Sequence, residues 1–418
     1  MKVKHCPKQG EDSKKPGYLR QFLRRHLSVT FLSIGISSLF ALVAIFAKPL
    51  DPVRRAIQDF SFTDIYYEIQ KESSLPDTSR IVTIVDMTKL TKRTDIAALL
   101  AKVETYNPKV LGLDVCFDNE GEDYEGNDSL IAVASRYKNI VYATKMHDWA
   151  SDSTGWSKCI HSFFYEIVPI IEGTTNMPRA LYDNMKRKVP VCELYKGKPY
   201  PSFVAQVSNL YAGRDLVGQR KEDVKINFSP VLFRVLSPEE IASHTELIED
   251  HIVLVGAMYD ELDRHWTPVG KIAGVELLAY GMHSIIYSNE IKDLPFVLLC
   301  VISLVVIFVV EIIQHWYLQA MASSNKIFVR YILGSTYVMS ILTFLFTSVM
   351  LGFSFLVFKL YGLSFNLAWA LSVITFLGTS RSMYTALKNY FKAWNEQERM
   401  EMLITKVRGR SRKNTHNR

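Results

Sequence analysis

Apolar and polar stretches divide this chain before any single residue is considered. Uncharged apolar runs cover residues 27–47 (21 residues), 294–310 (17, continuing past Glu311), 331–358 (28) and 360–380 (21). About 20 apolar residues in a helix cross a hydrocarbon core of about 30 Å. The pattern therefore predicts four transmembrane helices, one ahead of a long polar loop and three behind it. The expected segments are a basic N-terminus (1–26), an anchor (27–47), a loop domain (48–293), three helices (294–380) and a basic tail (381–418). The first run is longer than the apolar stretch of roughly 7–15 residues in a signal peptide. Ile45 also stands where a cleavage site at Ala47 needs a small residue, so an uncleaved anchor is expected.

Within the loop the period changes repeatedly. Short apolar, β-branched runs at 81–87 (IVTIVDM), 109–117 (KVLGLDVCF), 140–146, 224–228 and 251–257 (HIVLVGA) read as strands. Stretches 95–106, 129–137 and 274–288 read as helices, the last with Val275, Leu278, Met282, Ile285 and Ile286 on one face. Continuously apolar strands separated by helices predict an α/β domain, a mostly parallel sheet flanked by helices. Residues 53–72 read as a helical stalk leaving the membrane, and the less periodic 147–223 as an insertion.

The net charge of +7 conceals a split. Residues 1–26 carry eight Lys+Arg against two acids, and 381–418 carry ten against three. The loop carries 28 Lys+Arg against 36 Asp+Glu, a net of −8. Lysine and arginine bias places both ends in the cytoplasm and the loop outside. The basic ends then meet anionic membrane lipid, and no nucleic-acid partner is expected. Of five cysteines, Cys116 lies in an apolar run and reads as a buried thiol, whereas Cys159 and Cys192 share the exported loop. A disulfide between these two is chemically allowed there, and spacing alone neither requires nor excludes it.

Candidate chemistry gathers at strand ends. Asp86 closes the first strand pattern and Asp114 the second, while Asp260, Asp263, Arg264, His265 and Thr267 follow the 251–257 strand. Open α/β sheets bind ligands beyond the carboxyl ends of their strands. If those three strands are neighbours, Asp86, Asp114, Asp260, Asp263, Arg264 and Thr267 form a ligand-binding rim. Its carboxylates suit a cation or polar groups, and Arg264 suits an anion. A structural reading stands beside it: strand-end aspartates cap turns, and Arg264 pairs with Asp263 or Asp86 as fold support.

Catalytic patterns are lacking. The chain holds no G-x-S-x-G, H-E-x-x-H, Walker-type glycine loop or Cys/His zinc spacing, so no catalytic residue, metal or cofactor is expected, and the protein does not read as an enzyme. The acidic segment 118–128 (DNEGEDYEGND) misses the calcium-loop register and reads as solvated loop. Glu311, beside Gln314 and His315 near the cytoplasmic end of its run, reads as interfacial. In the tail, Leu387, Phe391 and Trp394 form an apolar stripe among Lys388, Lys392, Arg399 and Lys406. Such a helix either lies on anionic lipid or docks a cytoplasmic or membrane protein, or its own copy.

Three segments carry a family likeness: 80–90 (RIVTIVDMTKL), 96–117 (IAALLAKVETYNPKVLGLDVCF) and 250–279 (DHIVLVGAMYDELDRHWTPVGKIAGVELLA). The loop resembles the type-two CHASE domain, the cyclase- and histidine-kinase-associated sensory extracellular module. The anchor, sensor and three closing spans are also arranged as in that family. The chain departs from the pattern at Thr88, where the family often has a second Asp, and at Thr91-Lys92-Arg93, which replaces a Trp/Pro-rich turn. It departs again near Leu278, where a His is common. The resemblance implies a sensor or signal-input subunit in a bacterial plasma membrane, forming a homodimer and responding to an unidentified external ligand. Relatives usually carry a kinase or cyclase after the last span. Here a short tail stands in that place, so the resemblance implies a stand-alone form whose output is supplied in trans. A scaffold or assembly component of the envelope, holding a partner protein through the loop domain, is the alternative. An extracytoplasmic hydrolase using Asp86 and Asp263 is the weakest reading, because no nucleophile–base set is visible.

Overall fold

The computed structural model describes residues 16–46, 62–73, 75–178, 185–218, 220, 222–364 and 368–415. Two compact units divide the chain: an α/β unit, Pro52–Asp293 with Val357–Ser364, and a helical unit made of the remainder.

Helix α1 (Pro16–Phe46) belongs to the helical unit. The α/β unit then runs α2 (Phe62–Ser73), β1 (Asp77–Asp86), α3 (Arg93–Glu104), β2 (Val110–Leu113), α4 (Tyr124–Arg136), β3 (Ile140–Ser151), β4 (Gly155–Ile160) and β5 (Ile171–Thr174). It continues through β6 (Lys188–Val189), β7 (Cys192–Tyr195), β8 (Lys198–Pro201), α5 (Phe203–Ala212), β9 (Val224–Lys225), β10 (Val231–Leu236) and β11 (Ile252–Gly256). A hairpin, β12 (Arg264–Thr267) and β13 (Gly270–Ala273), leads into α6 (Gly274–Ile286) and β14 (Lys292–Asp293).

Strands β10, β1, β11, β2, β3 and β5 lie side by side in that order, every pair parallel. The far half of β3 leaves this array to pair antiparallel with β4, and β7 and β8 extend that edge. Alternate residues of each central strand enter different cores. Val253 and Val255 pack with Leu111, Leu113, Leu100 of α3 and Leu130 of α4, whereas Ile252 and Leu254 pack with Val82, Phe203 of α5 and Leu278 of α6. Every residue of β2 and β11 is buried, which is why these strands read as unbroken apolar runs. Gly256 ends β11 where a Cβ would stand 2.8 Å from the Val275 side chain, so α6 approaches the sheet there only over glycine.

Two expectations for this unit are corrected. The region 147–223 is no insertion: β5 extends the parallel sheet and α5 covers a core face. The described part of the stalk, α2, is no free strut either. Tyr67 is 2% exposed and packs edge-on to Phe228 at 5.8 Å, because the helix turns its aromatic face into the core; residues 53–61 lie outside the described residues. The acidic segment 118–128 has a local task. Asp123 caps α4 by accepting from Gly126 N at 2.9 Å, and Arg93 donates to Asn127 Oδ1 and the Asn119 carbonyl at 2.5 and 2.7 Å.

The helical unit contains α1, α7 (Phe296–Ala322), most of α8 (Thr336–Tyr361), α9 (Ala368–Thr375) and α10 (Leu377–Thr415). Among the described residues, three helices are long and apolar enough to cross a membrane: Arg20–Val43, Phe296–Ala322 and Thr336–Tyr361. The expected fourth continuous transmembrane helix is corrected, because the described residues of 360–380 do not form one helix. Leu360 and Tyr361 complete α8, and Gly362 adopts φ 61°, the left-handed conformation that ends helices. Strand β15 (Leu363–Ser364) then pairs with β14, and the helix that resumes is interrupted again between α9 and α10. Within this unit Val29, Ile307, Val310, Val373, Ile374 and Leu377 form one buried cluster.

Candidate functional site

Strands β1, β11 and β2 are neighbours, with Asp86 opposite Gly256 and Val255 opposite Leu113, so their carboxyl ends share one rim. The predicted residues divide there. Asp86 Oδ1 accepts from the Thr88 amide at 3.0 Å, the Thr88 hydroxyl at 2.5 Å and the Met258 amide at 3.0 Å. Thr88 Oγ1 accepts in turn from the Tyr259 amide at 3.1 Å, so the two side chains lace the loop after β1 to the loop after β11. Asp260 accepts from the Leu262 amide at 2.9 Å in a local turn. Thr267, 2% exposed, donates to the Gly270 carbonyl at 2.7 Å and closes the β12–β13 hairpin. Arg264 donates to the Lys271 carbonyl at 2.8 Å and lies 3.7 Å from Glu261, not against Asp86 or Asp263 as the fold-support reading expected. Its Nε is buried and has no hydrogen-bond partner among the described residues.

Asp114 and Asp263 do come together, beside Lys145 and His265. Burial pushes the Asp114 carboxyl up to about 6, helped by repulsion from Asp263 and opposed by Lys145 and His265. His265 Nε2 lies 3.3 Å from Asp263 Oδ1, and this hydrogen bond holds Asp263 below the ordinary carboxylate range against its partial burial. The Asp263 carboxylate rests on the first residue of α6: a Cβ on Gly274 would stand 2.3 Å from Oδ2. Helix N-termini favour negative charge at such a place. The arrangement lets Asp114 keep its proton to higher pH than an ordinary aspartate, while Asp263 is favoured as the charged carboxylate. Among the described residues, no group of three or more His, Cys, Asp or Glu side chains has metal-holding geometry.

Two functional-looking features escaped sequence reasoning. Lys145 projects outward from β3 and shows no sequence signal beyond breaking an apolar run. His161 and Glu172 form a second pair, Nδ1 to Oε2 at 2.6 Å, with Glu172 Oε1 accepting from the Ser162 amide at 2.8 Å and Tyr165 stacked on the imidazole at 4.3 Å. An acid inside the apolar run VPIIEG was the available clue, since a buried carboxylate needs partners. Nearby, burial pushes the Cys116 thiol up to about 11, which makes it a poor nucleophile. The allowed disulfide between Cys159 and Cys192 is not formed. Cys159 lies beside Thr144 and Tyr200, while Cys192 donates to the Glu193 carbonyl at 3.6 Å, which turns the two sulfurs to different partners.

In the helical unit Glu311 is not a solvated acid. It is 1% exposed, hydrogen-bonded to Nδ1 of buried His26 on α1, and 3.4 Å from Nε of Arg381 on α10. Gln314 extends the network, accepting from Arg381 at 3.4 Å and donating to Thr343 of α8 at 3.1 Å. Further along α10, Leu387, Phe391 and Trp394 are exposed, with Tyr390 against Phe391 and Trp394 at ring distances of 5.6 and 6.1 Å.

A family model described as the CHASE2 domain matches residues 37–313, from within α1 to within α7. Comparisons with curated proteins and with solved structures gave no match. With well over half its length covered by that model, the chain belongs to the CHASE2 family of sensory extracellular domains.

Proposed function

We propose that this protein is a sensor or signal-input subunit of a bacterial plasma membrane. Its α/β unit faces outward, both ends of the chain face the cytoplasm, and its output is a protein supplied in trans. The observation that carries this reading is the buried His26–Glu311–Arg381 network. It joins α1, which precedes the α/β unit in the chain, to α7, which follows it, and to α10, which bears the exposed aromatic stripe. A shift of α1 or α7 therefore has a charged connection to the helix that meets the partner, and buried charges resist separation. Helix α9 and the start of α10 serve as a broken crossing, supported by the burial of Val373, Ile374 and Leu377 against Val29 and Ile307. The basic residues of the tail hold α10 near anionic lipid, while its stripe docks the partner.

The test is capture from native membranes by the full chain and by a chain ending after Ser380. A photo-crosslinking residue at Phe391 should trap one defined protein, and the shortened chain should lose it. Crosslinks to lipid alone, together with a stable partner on the α/β unit that survives tail removal, would replace this reading with the envelope scaffold.

A further inference from the structure

Most charged groups of the α/β unit are paired or project into solvent, but one cavity is not balanced by its own residues. It encloses about 240 Å³ between α2, the β6–β9 ladder, and β15 with the approach to β14. Tyr67, Ile226 and Phe228 supply an apolar wall, and Lys186, Arg187, Lys188 and Lys225 supply positive charge.

Two of these cations are already matched. Arg187 grips Asp64 with two hydrogen bonds, Nε to Oδ1 at 3.1 Å and Nη2 to Oδ2 at 2.6 Å, and Lys225 lies 2.5 Å from Asp293. Lys188 stands directly opposite Lys225 in the antiparallel β6–β9 pair. Like charges at such a position destabilise a ladder unless something negative lies between them. Asp223 interacts electrostatically with Lys188, and burial raises its carboxyl. Among the described residues, neither Lys186 nor Lys188 makes an ion pair. The cavity thus offers two unmatched ammonium groups above an aromatic and aliphatic floor. An inorganic ion would leave the floor unused, and a neutral ligand would leave the lysines uncompensated.

We infer that this cavity binds a small organic anion, its carboxylate or phosphate held by Lys186 and Lys188 and its apolar part against Tyr67 and Phe228. The inference names the ligand class of the proposed sensor and rests on that reading for its role, though not for the binding itself. The placement suits a sensor, since β14 and β15 adjoin the apolar helices α7 and α8 in the chain. A lipid headgroup or a soluble metabolite can present this chemistry.

The experiment uses the full chain in phosphatidylcholine nanodiscs, titrated calorimetrically with benzoate, phenyl phosphate and neutral benzamide. At least one of the two anions should bind saturably in the millimolar range, less tightly at high salt, and benzamide should not. Lys186→Gln combined with Lys188→Gln should weaken binding at least about tenfold, equivalent to 1.4 kcal/mol, whereas Lys198→Gln on β8 should leave it unchanged. Lys188→Gln alone should also raise the ligand-free melting temperature by relieving the repulsion with Lys225, which shows that the variant folds. Repeating the titration in phosphatidylglycerol nanodiscs separates the sources: competition assigns the site to a lipid headgroup, and its absence to a soluble anion. Equal binding by the double variant, equal binding of benzamide, or no saturable binding of either anion overturns the inference. The Phe391 crosslink is read separately, so loss of the tail partner with anion binding intact refutes the signalling reading alone.

Discussion

Glu104, on the inner face of α3, makes the stability of the α/β unit depend on pH. Burial pushes its carboxyl from 4.5 up to about 7, opposed by a hydrogen bond from Asn139 Nδ2 at 3.1 Å. The folded chain then holds this proton more tightly than the unfolded chain. Its contribution is fully present below pH 4.5 and is lost as pH rises to about 7. A shift of that size corresponds to at most about 3 kcal/mol. Glu104→Gln should therefore raise the melting temperature at pH 8 and leave it nearly unchanged at pH 4, read by thermal denaturation of the full chain in detergent. Asp114 acts in the same direction between 3.8 and about 6. The positions of Asp86, Asp114 and Asp263 were legible because each follows an apolar strand. Their partners were not. Lys145 arrives from β3 and His265 from a hairpin, so only the folded sheet brings either to Asp114, and Asp86 is occupied by amides that carry no sequence signature.

Between elements, the loops after β1 and β11 are held together by one carboxylate. Asp86→Ala removes three hydrogen bonds, two of them to backbone amides, and leaves Met258 N without its acceptor. At about 1 kcal/mol for each such bond, and more for a donor left unsatisfied, the expected loss is roughly 2–4 kcal/mol. A drop in the denaturation midpoint of the full chain checks it; an unchanged midpoint would return Asp86 to the list of ligand-binding groups. Strands β2 and β11 were readable because burial on both faces makes every position nonpolar, and β1 because its buried half, Val82–Val85, is apolar but for Thr83. Strand β10 was missed for the opposite reason: it is the edge of the sheet, and Leu232 and Arg234 face outward, which breaks the run. The same logic explains the helix count. Apolar content records that 360–380 avoids water, but a turn at Gly362 and a two-residue strand leave that content unchanged.

At the scale of the whole chain, Glu311 concentrates the connections of the helical unit, touching α1 and α10 from α7. Glu311→Ala leaves the buried Arg381 guanidinium without its carboxylate and His26 Nδ1 without its hydrogen-bond partner, and removal of one member of a buried ion pair costs about 3–5 kcal/mol. Full-length protein carrying this change should lose thermal stability in detergent. Adding His26→Ala and replacing Arg381 with Met should restore part of it, and failure of the triple variant to recover would show that the network is not what holds these helices.

The parallel pairing of Lys292–Asp293 with Leu363–Ser364, reinforced by the Lys292 amide donating to the Gly362 carbonyl at 3.0 Å, makes residues 292–364 a closed ring of chain. A pull on the α/β unit is consequently shared between the leading end of α7 and the trailing end of α8, as a load is shared by two ropes tied at one knot. Neither helix can be drawn out alone until the knot opens, and the hydrogen bonds of two short strands, together with Phe358 packed against Tyr66 and Tyr67, resist its opening.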